Sequence, residues 1–494
     1  MHTTQIFYPE GISLFFSNYY YYGVFLALFL RNLLPLPLIY NLLVLHTFVV
    51  GGVGAFCLAY YLCGDFKGSL LAGFIFAFSP AHFARSLQHL SLASLQFIPF
   101  FCLFLIRSFR EEKKSNVLWA ALFMMLDALC DWNYLVYDLL LVLFMMGFVL
   151  LRRRPGFMAS LGRAIWIPVA AIAALSPLLV PMIVLGMTHT FVDPLTGHDY
   201  YVADFFGFFV PHAQHFFSGV PWIHRLNKAM SGDDFEKAVY LGIPNLLLVL
   251  TAAAAIGKEC AKYFLALGVF LILAMGSHPH VAGRVLPFPL PYRILQALPF
   301  FTQARCPVRI VVYAYLFLGI IAAFSIRKLC GWFGGRALAK IAFIVFFALT
   351  FFDYRPKAFA MSEIALPPCY QVIQADPDKN FGIYELPWDY ARYMMHQTIH
   401  GIPCVQGYMG RRIERTLLDK LVISKNPGFI RIHHLLLQQA HVKYIIIYKR
   451  RALWKSGDIY SEIFSRNWTQ IAKFYALEFP RVYADDSAEV FQVY

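Results

Sequence analysis

The sequence predicts an α-helical polytopic membrane protein of about 10 to 11 spans with a soluble α/β domain at its C-terminal end. Three observations carry that prediction. Hydrophobic residues make up 59% of the 494-residue chain and charged residues only 14%, against roughly 25% charged in soluble domains. With a mean hydropathy of +0.58, the chain has more apolar surface than a water-soluble core absorbs. The excess falls into blocks of about 18 residues, each long enough to cross roughly 30 Å of hydrocarbon as a helix. After Asp353 the composition becomes ordinary.

The apolar blocks place spans near 41–62, 68–80, 91–106, 116–130, 134–151, 164–187, 239–256, 261–275, 308–325 and 337–353. The second, third and eighth are short, and a tilted or partly buried helix is the alternative there. Residues 12–34 combine an aromatic stretch, 15–22, with a short apolar run; they are either interfacial helices or one further span. Basic residues set the orientation. Arg107, Arg110, Lys113 and Lys114, then Arg152, Arg153, Arg154 and Arg163, then Lys258 and Lys262, then Arg327, Lys328, Arg336 and Lys340 all fall on one side of this arrangement. Positive segments beside a span stay in the cytoplasm. The other side receives the turn 131–133, the long loops 188–238 and 276–307, and everything after Asp353. The expected domains are therefore a transmembrane domain, 1–353, and an extracytoplasmic α/β domain, 354–494. In the latter, 381–387, 442–448, 481–484 and 489–493 read as strands and 390–396, 412–422, 429–439 and 460–466 as helices.

A net charge of +14 does not indicate nucleic acid, because much of it is this inside-facing set and no nucleic-acid-binding motif accompanies it. Anionic membrane lipid is the expected counter-charge. The nine cysteines lack metal-ligand spacing, and a disulfide between Cys369 and Cys404 stays open. His212 with His215 and His278 with His280 are pairs without a third ligand. The sequence requires no cofactor, and dependence on a divalent metal is left open. No phosphate-binding loop, dinucleotide fingerprint or nucleophile elbow stands between a strand and a helix. No secretory signal peptide is read at the N-terminus.

Several segments carry a family resemblance: Ile6-Phe-Tyr-Pro-Glu-Gly11, 73–80 followed by His82, 90–99, 201–211, Ala238-Val-Tyr-Leu-Gly242, 298–309 and 393–412. On these the chain resembles bacterial multi-spanning glycosyltransferases of the GT-C type, which use lipid-linked sugars. The resemblance implies transfer of a sugar from a polyprenyl-phosphate carrier to a glycan or lipid acceptor outside the cytoplasm, in the bacterial inner membrane, during cell-envelope assembly. GT-C enzymes resemble one another in a first span leading to an outer loop with an early catalytic Asp or Glu. Before Asp65 the only acid here is Glu10, so the resemblance leaves open a truncated product, a misassigned start or a member that has lost transfer activity. The alternatives are a transporter or lipid-handling membrane protein, and an inactive scaffold for envelope polysaccharide assembly. No internal repeat of the transporter kind is found, and Asp127 and Asp138 are the main acids within spans.

Sugar transfer of this kind needs a carboxylate to take the acceptor's proton and cations to stabilise the leaving phosphate. The catalytic candidates are Asp131, in the turn Cys130-Asp-Trp-Asn-Tyr134, Asp204, in the aromatic run 200–209, and Glu10. Each has a plain structural alternative as an interfacial cap, a solvated acid or a turn residue. For phosphate, Arg305 and Arg309 put two guanidinium forks four residues apart just before a span, where head-group anchoring explains them equally well. Arg293 and Arg85 are weaker versions of the same idea. His82 is a candidate donor to phosphate or sugar hydroxyls. In the C-terminal domain, Gln397 and His400, and then Arg411 after Gly410, form a glycine-turned polar loop suited to substrate or to docking.

Overall fold

A computed structural model describes residues 1–16, 20–152, 156–189, 199–298, 306–332, 336–358, 366–386, 390–410, 412, 415–423, 430–449, 473 and 475–494. The described chain is mostly helical and forms two compact units. The larger comprises Tyr19–Leu179 and Leu195–Phe359, and the smaller comprises Met1–Asn18, Val180–Pro194 and Ala360–Tyr494.

In the larger unit the helices are α1 (Tyr21–Leu30), α2 (Leu36–Cys63), α3 (Phe66–Ala77), α4 (Pro80–Ser86), α5 (Leu90–Ala93), α6 (Ile98–Arg110), α7 (Lys114–Cys130), α8 (Trp132–Arg152), α9 (Phe157–Thr188, which runs on into the smaller unit), α10 (Pro221–Ala229), α11 (Ile243–Ala274), α12 (Tyr292–Gln296), α13 (Val311–Trp332) and α14 (Arg336–Asp353). Among the described residues, four helices are long and apolar enough to cross a membrane: Leu36–Cys63, Trp132–Leu151, Phe157–Thr188 and Pro307–Trp332. Their burial ranks them. The most apolar window of Pro307–Trp332 is 94% buried and that of Phe157–Thr188 only 11%, so α13 is the hub of the bundle and α9 lies at its edge.

Close packing on the hub comes from small residues, which let backbones approach where lipid offers no hydrophobic drive between helices. A Cβ on Gly68 of α3 would stand 2.4 Å from the Ala323 carbonyl oxygen of α13, and one on Gly319 of α13 would stand 3.1 Å from the Ala72 carbonyl oxygen of α3. Each helix thus offers two small residues four apart. The α2–α3 turn is also locally determined: Gly64 takes the left-handed conformation (φ 68°) and the Asp65 carboxylate accepts from the Gly68 N–H at 2.6 Å, capping α3.

Helix α11 takes in most of both runs expected at 239–256 and 261–275. Its backbone leaves helical geometry at Ile256 (φ −142°, ψ 26°), and both limbs pack on α13 in opposite senses. Tyr240 and Leu248 meet Tyr315 and Ser325, whereas Tyr263 and Phe270 meet Phe324 and Phe317. The chain therefore doubles back at Ile256. The basic residues Arg107, Arg110, Lys258, Lys262 and Arg327 lie at this end of the bundle. The turn 131–133, residues 199–242 and residues 276–298 lie at the other. Contacts from Arg309 to Glu236, Arg85 to Phe235 and Val308 to Tyr201 join the loop segments there.

The smaller unit is α/β. Strands β1 (His2–Thr3) and β2 (Ile12–Ser13) pair as a hairpin; the larger unit contributes the short hairpin β3 (His280–Val281) and β4 (Arg284–Val285). The main sheet of the smaller unit has the order β5–β6–β8–β7, with β5 (Gly382–Leu386) parallel to β6 (Val442–Tyr448), and β8 (Ala488–Gln492) antiparallel to both β6 and β7 (Arg481–Ala484). The helices are α15 (Tyr370–Ala375), α16 (Tyr390–His400), α17 (Leu417–Ile423) and α18 (Ile430–Gln439). All four expected strands are present. The expected helix 412–422 begins only at Leu417, and 460–466 lies outside the described residues.

Residues 5–8 extend this sheet. The Cys404 N–H donates to the Gln5 carbonyl (2.9 Å), the Tyr8 N–H to the Cys404 carbonyl (3.0 Å), and the Val405 N–H to the Ile383 carbonyl (2.9 Å). Ile6, Phe7 and Ile12 are buried with Leu386, Val405 and Phe491 in one hydrophobic cluster. The N-terminal segment is thereby part of the smaller unit's core.

Candidate functional site

In the larger unit two arginines and a glutamate meet where three segments converge. Arg85 stands in the last turn of α4, a helix started by Pro80 at its first position. Arg309 stands in the 3₁₀ turn that leads into α13, and Glu236 comes from the loop before α11. Arg309 Nε and Nη2 both donate to Glu236 Oε1, at 2.9 and 2.7 Å, while Arg85 Nη2 lies 2.6 Å from Glu236 Oε2. Arg85 Nη1 also donates to the Phe235 carbonyl at 2.8 Å. Burial favours the neutral carboxyl, but the charges of Arg85 and Arg309 prevail and pull Glu236 down to about 2.

Asp131, at the same end of the bundle, holds contacts of its own. It sits in the turn between α7 and α8. Oδ1 accepts from the Asn133 N–H (3.0 Å) and the Asn133 amide (2.7 Å), and Oδ2 from the Ser91 hydroxyl (2.9 Å). Two sequence candidates, Arg85 and Arg309, are thus brought together. Glu236, which the sequence reading missed, is what links the arginines. Its only local signal is the run Asp233-Asp-Phe-Glu-Lys237, which reads as a solvated turn.

The other candidates lie elsewhere. Asp204 accepts the backbone N–H groups of Phe206 (3.0 Å), Ala282 (3.0 Å) and Gly283 (2.8 Å), so it clasps the β3–β4 turn. His82 is fully buried, with Nε2 on the Thr47 hydroxyl (2.9 Å), Nδ1 on the Ala77 carbonyl (2.6 Å) and its ring stacked on Phe48. Arg293 is exposed on α12. Arg305 and Arg411 lie outside the described residues.

Glu10, Gln397 and His400 belong to the smaller unit. Glu10 Oε2 accepts the Leu417 N–H at 3.0 Å and Oε1 lies 3.5 Å from Lys420 Nζ, satisfying the start of α17. The Gln397 amide donates to the Gln5 carbonyl, tying α16 to the N-terminal segment. His400 stacks on Tyr370, and its Nδ1 accepts the Ile402 N–H at 3.0 Å. Ligand atoms of Glu385, His400 and Cys404 lie within 4.8 Å of one another. That hydrogen bond puts the proton of the neutral ring on Nε2, so His400 is not set up as a ligand there. Cys369 and Cys404 are free thiols, both buried. In the pair His212 and His215, the second is committed: Nδ1 accepts the Phe217 N–H (3.1 Å) and Nε2 meets the Asp353 carbonyl.

Also in the larger unit, a cavity of about 430 Å³ is lined by Phe74, Phe78, Phe83, Phe351, Tyr354 and Arg355, among others. Neither Asp131 nor Asp204 lines it. The Arg355 guanidinium rests 4.9 Å from the centre of the Phe216 ring.

A family model described as "Domain of unknown function (DUF6311)" matches residues 1–355. No curated protein matches the chain. Among solved structures, the arabinofuranosyltransferase AftD from Mycobacteria superposes over 100% of this chain with a TM-score of 0.56 at 13% identity. This chain covers 36% of that one, so it spans about a third of its length. ArnT from Cupriavidus metallidurans, in the apo state, matches 92% of this chain and 83% of its own at 10% identity, with a TM-score of 0.38. At such identity the likeness to AftD shows the fold, which is GT-C-like.

Proposed function

The chain belongs to the DUF6311 family, and on that premise we propose that it is a GT-C-type glycosyltransferase that moves a sugar from a polyprenyl-phosphate carrier to a glycan or lipid acceptor. The observation that carries the reading is the convergence of Arg85 and Arg309, fixed by Glu236, at the loop end of a fold that an arabinofuranosyltransferase shares. Two buried guanidinium groups held by one carboxylate leave the cluster with excess positive charge, preorganised for the phosphate that leaves. The aromatic cavity beside Arg355 offers the first isoprene units an apolar wall.

Glu236, held at about 2, is too weak a base for an acceptor hydroxyl. Asp131 is the carboxylate we assign to that proton, because its turn lies at the same end of the bundle as Arg309 and it has room to accept beyond its three present bonds. Asp204 is the second choice, its oxygens being engaged by backbone. The test uses protein in nanodiscs, a labelled polyprenyl-phosphate pentose and a membrane glycan acceptor. Wild type should transfer; Arg85→Gln with Arg309→Gln should lose donor binding; Asp131→Asn should keep donor binding and lose about 10²- to 10⁴-fold in rate. Failure of wild type to bind any polyprenyl-phosphate sugar would sink the reading.

The same proposal has 10 to 11 spans in a bacterial inner membrane, about one per apolar block, and puts the loop end and residues 354–494 outside the cytoplasm. A cysteine introduced at exposed Gln374 should react with a membrane-impermeant maleimide in intact cells. Labelling only after the membrane is opened would invert the topology. One observation favours a transporter instead: Asp127 and Asp138 are fully buried on the neighbouring helices α7 and α8, with the Tyr313 hydroxyl donating to Asp138 at 2.7 Å. Acidification of the opposite compartment on addition of substrate, without transfer, would favour that reading.

A further inference from the structure

At the basic end of the bundle, opposite the Arg85–Glu236–Arg309 cluster, a cavity of about 390 Å³ opens between α6, α8, α9, α11 and α13. Its walls are largely aromatic and aliphatic, with Phe144, Phe148 and Phe317 among them, and two cations, Arg110 and Lys262, take part in the lining. Among the described residues no acidic one lines it.

Three neighbouring cations at this end are held by carboxylate or carbonyl oxygens. Arg107 pairs with Glu111 at 3.0 Å, Arg327 with Glu259 at 2.5 Å, and Arg163 donates to the Ser108 carbonyl at 2.8 Å. Arg110 differs. It is exposed, packs its guanidinium 5.6 Å from the centre of the Tyr61 ring and has no carboxylate within ion-pairing distance among the described residues. Lys262, on the return limb of α11, lies 4.8 Å from the Tyr263 ring centre. An apolar chamber whose charged lining, among the described residues, is positive is complementary to an amphiphile with a hydrocarbon chain and an anionic head.

We infer that this cavity is a binding site for an anionic glycerophospholipid, with an acyl chain between α6, α8 and α11 and the phosphate against Arg110 and Lys262. The choice of a phospholipid over a polyprenyl carrier rests on position. The site is at the end where the basic residues gather, which is where anionic leaflet lipid supplies the counter-charge. The proposed transfer site is at the other end, so this site is separate from the chemistry and the inference stands whether or not that activity is found.

The test is native mass spectrometry of the full chain released from nanodiscs of phosphatidylcholine with a minor share of phosphatidylglycerol, alongside titration of each lipid into delipidated protein. Wild type should retain phosphatidylglycerol selectively, and Arg110→Gln with Lys262→Gln should retain at least about tenfold less, since each cation near a membrane surface contributes to such binding. Elution profile and unfolding temperature confirm that the double variant is folded. A folded double variant that holds phosphatidylglycerol like wild type would overturn the site. Equal retention of phosphatidylcholine would overturn the role of charge. Displacement of phosphatidylglycerol by sub-stoichiometric undecaprenyl phosphate would overturn the choice of lipid.

Discussion

Glu236→Ala is expected to be among the most damaging single substitutions in the larger unit, lowering stability by about 3–5 kcal/mol. The loss is not that of one favourable contact. Arg85 and Arg309 expose only 3% and 14% of their side chains, and without Glu236 they face each other as two desolvated cations. Thermal unfolding in detergent should show a large drop for Glu236→Ala. A triple variant with Met at 85, 236 and 309 should recover much of it, because removing all three charges removes the desolvation cost together with the attraction. A triple variant as unstable as the single one would mean that the cluster's geometry, rather than its charge balance, holds these loops. The same carboxylate sets an acid limit. Its folded value of about 2 lies below the ordinary 4.5, so its contribution is fully present above about pH 4.5 and is lost as pH falls through 2.

The cluster also shows why some of this site was legible and some was not. Arg85, Arg309 and Asp131 stood out because a charge beside an apolar block is a local anomaly, visible wherever it occurs in the chain. Glu236 did not, because its significance depends on positions 85 and 309 arriving at the same place. Asp204 was singled out for its aromatic neighbours. Those rings, Phe205, Phe206 and Phe209, are 38–44% exposed, and the acid turns away from them to hold the N–H groups of Ala282 and Gly283. A run of aromatics reports the membrane boundary and says little about where the one polar side chain among them points.

At the level of fold, the long apolar helices and the strands of the main sheet follow from block length and β-branched composition, both local properties. The return of α11 at Ile256 is also foreshadowed, since Gly257-Lys-Glu-Cys interrupts two apolar runs. Small-residue packing between α3 and α13 is harder to read. Gly68, Ala72, Gly319 and Ala323 are unremarkable apart, and only their pairing across 250 residues of chain makes them an interface.

The association of the N-terminal segment with the smaller unit had no sequence signal, and it carries the second large expected effect. Removing residues 1–13 should unfold the α/β unit while leaving the larger unit's helices in place. Ile6, Phe7 and Ile12 are 8%, 2% and 0% exposed, and burial of such side chains contributes about 1.5–3 kcal/mol each as an upper range. Deletion also strands backbone groups at Cys404 and Gln406 that now pair with Gln5, Phe7 and Tyr8, and it uncovers the start of α17, where Glu10 accepts the Leu417 N–H. Together these losses approach or exceed the whole stability of an ordinary domain of about 5–15 kcal/mol. Limited proteolysis in detergent is the measurement: the truncated chain should be cut rapidly within 366–494 while a protected helical fragment from the larger unit persists. Substituting Ile6→Asp and Ile12→Asp in the full-length chain should give the same digestion pattern, because it disrupts the same core without shortening the chain. Resistance of residues 366–494 in both variants would show that this sheet is stable without its N-terminal edge.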